Sequence, residues 1–187
     1  MSNKRGRMLI VSGPTASGKS TLWRRLVLHE QVTFSVSATT RQMRRGEVDG
    51  RDYQFLAKDK FEQLVADGAF LEYAEVHGCY YGTLRENVES AIDAGLDIVL
   101  EIDVEGARQL RECDLPQVSL FVNPPSLEVL AQRLRDRGTE TEEQMARRLS
   151  VVEREMACAN QYDHVVVNND LEQMIAEVGD ILEIQIP

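Results

Sequence analysis

The sequence predicts an α/β fold, a parallel sheet flanked by helices, interrupted by a small and mostly β insertion. Short continuous apolar runs at 8–11, 98–102, 118–122 and 164–167 are each followed by a helical pattern. Runs of that kind suit strands buried on both faces, and strands alternating with helices argue for a parallel sheet. Between residues 34 and 82 the pattern changes to short alternating pieces, at 53–56 and 70–76, broken by Gly46, Gly50, Gly68 and Gly78. One helix is expected inside this insertion near 60–66. Thr83 and Glu86 have capping-box spacing and should open the helix that returns to the main sheet. Thr141 and Gln144 have the same spacing ahead of a long helix whose apolar stripe is Met145, Leu149, Val152, Met156 and Ala159.

The chain has 187 residues, 43% hydrophobic and 28% charged, which suits one globular domain with a substantial core. With 31 acidic against 21 basic side chains the net charge is -10, which argues against duplex nucleic acid as the main partner. Any anionic ligand must be met locally, and arginines cluster at 41–51 and 133–148. Cys79, Cys113 and Cys158 form neither a metal-ligand spacing nor a disulfide framework, which points to a reducing compartment. The apolar run after the basic N-terminus is too short for a signal peptide or a membrane span, so a cytoplasmic protein without a membrane partner is expected.

Gly13, Pro14, Thr15, Ala16, Ser17, Gly18, Lys19 and Ser20 fit G-x-x-x-x-G-K-[ST] in full, after a buried strand and before a helix. Cradling phosphate oxygens with backbone N–H groups needs Cβ-free positions at Gly13 and Gly18. Lys19 should reach the β- and γ-phosphates, the Ser20 hydroxyl should ligate Mg²⁺, and the helix N-terminus from Ser20 and Thr21 onward favours the anion. This P-loop NTPase-type element says only that a nucleoside triphosphate is bound. It does not name the acceptor.

The following hundred residues carry further motifs. These are the run 34–41 ending in Thr39, Thr40 and Arg41; Gly46 to Gly50 with Asp52 and Tyr53; Phe70 to Glu72; Tyr80 to Gly82; Leu100 to Gly106; and Arg137 to Glu142. In order and spacing they resemble the guanylate kinases, from residue 8 to about residue 171. The resemblance implies phosphoryl transfer from Mg·ATP to GMP or dGMP, in purine nucleotide metabolism. It implies that Arg41, Arg44, Tyr53 and Tyr81 hold the GMP phosphate, and that Ser37, Glu72, Thr83 and Asp103 read guanine. It places Arg133, Arg137 and Arg148 over the ATP phosphates and Asn168 near adenine. Glu101, at the carboxyl end of an apolar strand that faces the ligand crevice, is expected near Mg²⁺, through water. The expected catalytic set is Lys19, Arg41, Arg44, Arg137 and Arg148. The expected division is a core of 1–36, 89–132 and 149–187, a GMP-binding module of 37–88 and a lid of 133–148, in a monomer or homodimer.

The chemistry agrees with these roles. Arginine forks match phosphate bidentately, and carboxylates match the N1–H and N2 amine that guanine offers and adenine does not. Two departures stand out: the run from Arg41 to Gly46 lacks the prolines usual in the family, and Ala16 replaces a common glycine. Alanine is strained at that position if φ is positive. A catalytically inactive, guanylate-kinase-like phosphopeptide-binding module is the alternative reading; the intact Lys19 and Ser20 oppose it. The guanine-reading set opposes a sugar-phosphate kinase. The acidic balance opposes a tRNA prenyl transferase, whose loop is similar.

Overall fold

The structure is a computed structural model that describes residues 5–76, 78–136 and 142–187. Its main sheet has the strand order β2-β7-β1-β8-β9. The members are β1 (Met8–Ser12), β2 (Val32–Phe34), β7 (Asp97–Glu101), β8 (Gln117–Asn123) and β9 (His164–Val167), and every pairing is parallel. The four expected runs are all strands. β2, only three residues long, had no distinct signal in the sequence.

Successive strand side chains point to opposite faces, so each strand feeds two cores. Leu9, Val11, Val99, Leu120 and Val122 pack under α1 (Lys19–Leu26) and α7 (Leu171–Leu182), through Leu22, Leu26, Met174 and Val178. Met8, Ile10, Ile98, Leu100 and Phe121 face α3 (Arg85–Asp93) and α4 (Val104–Leu110), through Val88, Ile92, Ala107 and Leu110. All five residues of β1 are buried, which explains why the strand reads as an unbroken apolar run.

The insertion is a second sheet, ordered β4-β3-β6-β5. It comprises β3 (Ala38–Thr39), β4 (Gln54–Phe55), β5 (Phe70–Val76) and β6 (Cys79–Leu84), with α2 (Lys58–Ala66) packed on it. Its core is separate: Phe61 of α2 stacks on Phe70 at 4.4 Å and on Tyr80 at 5.4 Å, beside Ala38. The β5–β6 register shifts between Phe70 and Glu72, and the bulge leaves three consecutive buried residues. Phe70 enters the insertion's core, Leu71 joins the main core, and Glu72 is left facing inward beside them.

The remaining helices, α5 (Leu127–Asp136) and α6 (Glu142–Met156), meet through Leu130, Leu134, Leu149, Val152 and Met156. Leu149, Val152 and Met156 of the expected stripe are upheld, while the side chain of Met145 lies outside the described residues. Ala159 has left the helix and sits in a 3₁₀ turn, Ala159–Gln161, against the other core. Thr141 lies outside the described residues. The capping box at Thr83 does not form. Thr83 belongs to β6, Leu84 caps α3 with no side-chain hydrogen bond, and the Thr83 hydroxyl is occupied by a buried carboxylate.

Candidate active site

The loop between β1 and α1 has the backbone its glycines allow. Gly13 has φ 140° and Gly18 has φ 109°, where L side chains are disfavoured. A Cβ would come within 2.3 Å of the Val122 carbonyl at Gly13, and within 2.1 Å of Asn168 Nδ2 at Gly18. Ala16 has φ 60°, so the alanine is strained as the sequence suggested; its methyl packs against the α5–α6 cluster. Lys19 Nζ donates to the carbonyls of Gly13 at 2.6 Å and Pro14 at 2.9 Å, folding back over the loop. Thr21 lies in the first turn of α1 on its exposed side, its N–H bonded to Gly18 O at 3.0 Å.

The loop is braced by the residue that follows β9. Buried Asn168 donates from Nδ2 to the Ser17 carbonyl at 2.7 Å, and its own carbonyl accepts from Arg133 at 3.0 Å. Its amide nitrogen is thus committed to holding the loop. Arg137 and the side chain of Arg148 lie outside the described residues.

Glu101 ends β7 next to Val11 of β1, which sets it beside the loop. Ser20 Oγ donates to Glu101 Oε1 at 2.8 Å, and Trp23 Nε1 donates to Oε2 at 2.5 Å. Asp103 stands past the strand's end. It caps α4, its Oδ1 accepting from Gly106 N at 2.8 Å.

A cleft of about 380 Å³ runs from Lys19 and Ser20 past Phe34, Ser37 and Tyr53 to Glu101 and Asp103. It shares Ser37, Tyr53, Glu101, Ile102 and Asp103 with a cleft of about 330 Å³ that ends at Glu72, Tyr81 and Gly82. At that far end Glu72 is only 6% exposed and accepts from Thr83 Oγ1 at 2.6 Å. Burial pushes the Glu72 carboxyl above the ordinary range; Asp103 adds to the rise, and the Thr83 hydroxyl opposes it. Both carboxylates border Gly106, where a Cβ would sit 3.0 Å from Glu72 Oε2 and 3.5 Å from Asp103 Oδ1.

The rings of Tyr53 and Tyr81 meet edge to face at 5.9 Å, and burial raises the Tyr53 pKa, keeping it a donor. The Arg41 guanidinium lies 5.3 Å from the centre of the Tyr53 ring. Its fork is clasped by Glu47 at 2.7 and 3.0 Å, and this contact, with a smaller contribution from Tyr81, holds the guanidinium pKa above its usual value. Glu47 also accepts from the Arg44 backbone N–H at 2.7 Å, while the Arg44 residue is exposed. Arg44 is therefore pinned by its backbone and does not line the described clefts. Trp23, Glu47 and Glu155 were missed in the sequence. Glu155 is half-buried on α6, where burial raises its pKa and the charge of Lys19 opposes the rise.

A phosphate-binding loop and a polar cleft at the carboxyl ends of a parallel sheet define a P-loop nucleotide-binding α/β protein. Residues 5–185 match the family model described as guanylate kinase. A guanylate kinase of Symbiobacterium thermophilum is 47% identical over 97% of this chain and 87% of the relative. One of Rubrobacter xylanophilus is 45% identical over 96% and 94%. The crystal structure of guanylate kinase from Anaplasma phagocytophilum superposes with TM-score 0.77 at 35% identity, covering 96% of this chain and 86% of that one. A sugar kinase from Janibacter superposes with TM-score 0.53 at 18% identity over 96% and 95%, a likeness of fold alone. The chain belongs to the guanylate kinase family, a family of nucleoside monophosphate kinases.

Proposed function

We propose that this enzyme transfers the γ-phosphoryl group of Mg·ATP to GMP, and to dGMP, giving ADP and GDP. The observation that carries the reading is the buried Glu72, fixed by Thr83 and paired across Gly106 with Asp103, at the far end of a cleft that begins at Lys19. Two carboxylates accept from a guanine's N1–H and N2 amine. Adenine, with a lone pair at N1 and no N2 amine, would leave a buried acceptor unsatisfied, a mismatch that rejects ligands by orders of magnitude.

Arg41, Arg44, Tyr53 and Tyr81 are the residues we assign to the acceptor phosphate. Lys19 and the loop amides are assigned to the donor, with Arg133, Arg137 and Arg148 above it and Asn168 bracing the loop next to the base. The nucleophile is already an anionic phosphate oxygen, so these residues need only align two phosphates, exclude water and offset charge. Mg²⁺ fits the Ser20–Glu101 pair, since it prefers oxygen ligands and is commonly held by few protein groups together with substrate phosphates. Held at Ser20 with Glu101 behind it, the ion would supply positive charge to offset that of the phosphates. The module of 37–88 and the lid of 133–148 are the parts we expect to close. Cysteine usage supports the cytoplasm as its compartment.

A coupled assay of ADP release with GMP, dGMP, AMP and UMP tests the substrate. Turnover of GMP and dGMP is expected; turnover of AMP without GMP would overturn the assignment.

A further inference from the structure

Both oxygens of Glu101 are occupied, and only one partner belongs to the phosphate loop. Oε1 accepts from Ser20 at 2.8 Å; Oε2 accepts from the Trp23 indole at 2.5 Å. Ser20 and Trp23 are three residues apart on α1 and so share a face. The indole is itself held, stacked on Phe34 with ring centroids 4.1 Å apart and planes within 20°, and the Arg24 guanidinium lies 5.3 Å from its centre.

We propose that Trp23 is a positioning residue for the divalent cation at Ser20, acting through Glu101; this rests on the magnesium reading above. A serine hydroxyl has one proton and two lone-pair directions. With the proton committed to Glu101, the oxygen offers its lone pairs to the cleft. That commitment lasts only while the carboxylate keeps its orientation. The indole N–H fixes the second oxygen and stops the carboxylate turning. Without it the Ser20 hydroxyl can rotate and present its proton where a cation needs a lone pair. Partners behind metal ligands typically contribute about 10–100-fold in metal affinity or activity. Trp23 stands one bond further back, at the low end of that range.

Trp23→Phe keeps a ring to stack on Phe34 and removes the N–H; Trp23→Gln removes the ring and keeps a donor. The Mg²⁺ concentration for half-maximal rate should rise about tenfold in Trp23→Phe, with KM for GMP changed less than about twofold, and Trp23→Gln should recover part of the loss. Because the chain has a single tryptophan, the wild-type protein gives one indole N–H proton resonance. That resonance should move when Mg²⁺ joins a non-hydrolysable ATP analogue, and should stay put with the analogue in EDTA. An unmoved resonance, or an unchanged Mg²⁺ requirement in Trp23→Phe, overturns the positioning role. Loss of thermal stability alone in Trp23→Phe, with the Mg²⁺ requirement intact, overturns it too and makes the indole structural. If wild-type enzyme phosphorylates GMP while these tests fail, only this inference falls. Failure of the wild type to use GMP removes the functional reading beneath it.

Discussion

In its proposed role as a guanine reader, Glu72 trades folding stability for recognition. Its folded pKa is raised, so the folded state holds the proton more tightly than the unfolded chain. Ligand-free stability is therefore fully retained below the ordinary carboxylate pKa and declines as pH rises through the raised value. Glu72→Gln removes that cost while keeping an acceptor for Thr83. The variant should melt roughly 2–4 °C higher near neutral pH, for about 1 kcal/mol gained, in a thermal unfolding scan. Its kcat/KM for GMP should drop about a hundredfold or more, because the amide no longer accepts two guanine protons. For the wild type, KM for GMP should rise on acidification before ordinary carboxylates titrate. Little of this was legible from the sequence. The glutamate's type and its place in the family's motif were visible; its burial was not, since Thr83 is eleven residues away and meets it only through strand pairing.

At the level of elements, legibility followed locality. The phosphate loop was read correctly because its strand, glycines and helix are contiguous, and the buried strands because burial on both faces leaves an unbroken apolar run. The bulge in β5 was invisible: alternation would send Leu71 and Glu72 to opposite faces, yet both are buried. The cap expected at Thr83 failed because Thr83 still belongs to strand β6, and Leu84, one residue on, is the residue that opens α3. The Glu101–Trp23 contact joins residues 78 apart, beyond any spacing rule. The insertion's separate core makes its own prediction. Phe61→Ala should destabilise the insertion by about 3–5 kcal/mol, leaving the main sheet folded. KM for GMP should then rise about tenfold or more while KM for ATP changes little, as steady-state kinetics against each substrate will report.

On the scale of the whole molecule, two sheets each contribute residues to the adjoining clefts, Glu72 and Tyr81 from the insertion and Lys19, Glu101 and Asp103 from the main sheet and its loops. Phosphoryl transfer needs the two phosphates aligned and dry, a condition that closing segments meet in kinases. Solution scattering should show a smaller radius of gyration with GMP plus a non-hydrolysable ATP analogue than with neither. A curve unchanged by both ligands at saturation counts against closure. Lys19 adds a consequence of its own. Its ammonium already rests on the Gly13 and Pro14 carbonyls, so an arriving triphosphate exchanges one set of acceptors for another. Attraction credited to that cation is a difference between two solvation shells, one of them supplied by the enzyme's own backbone.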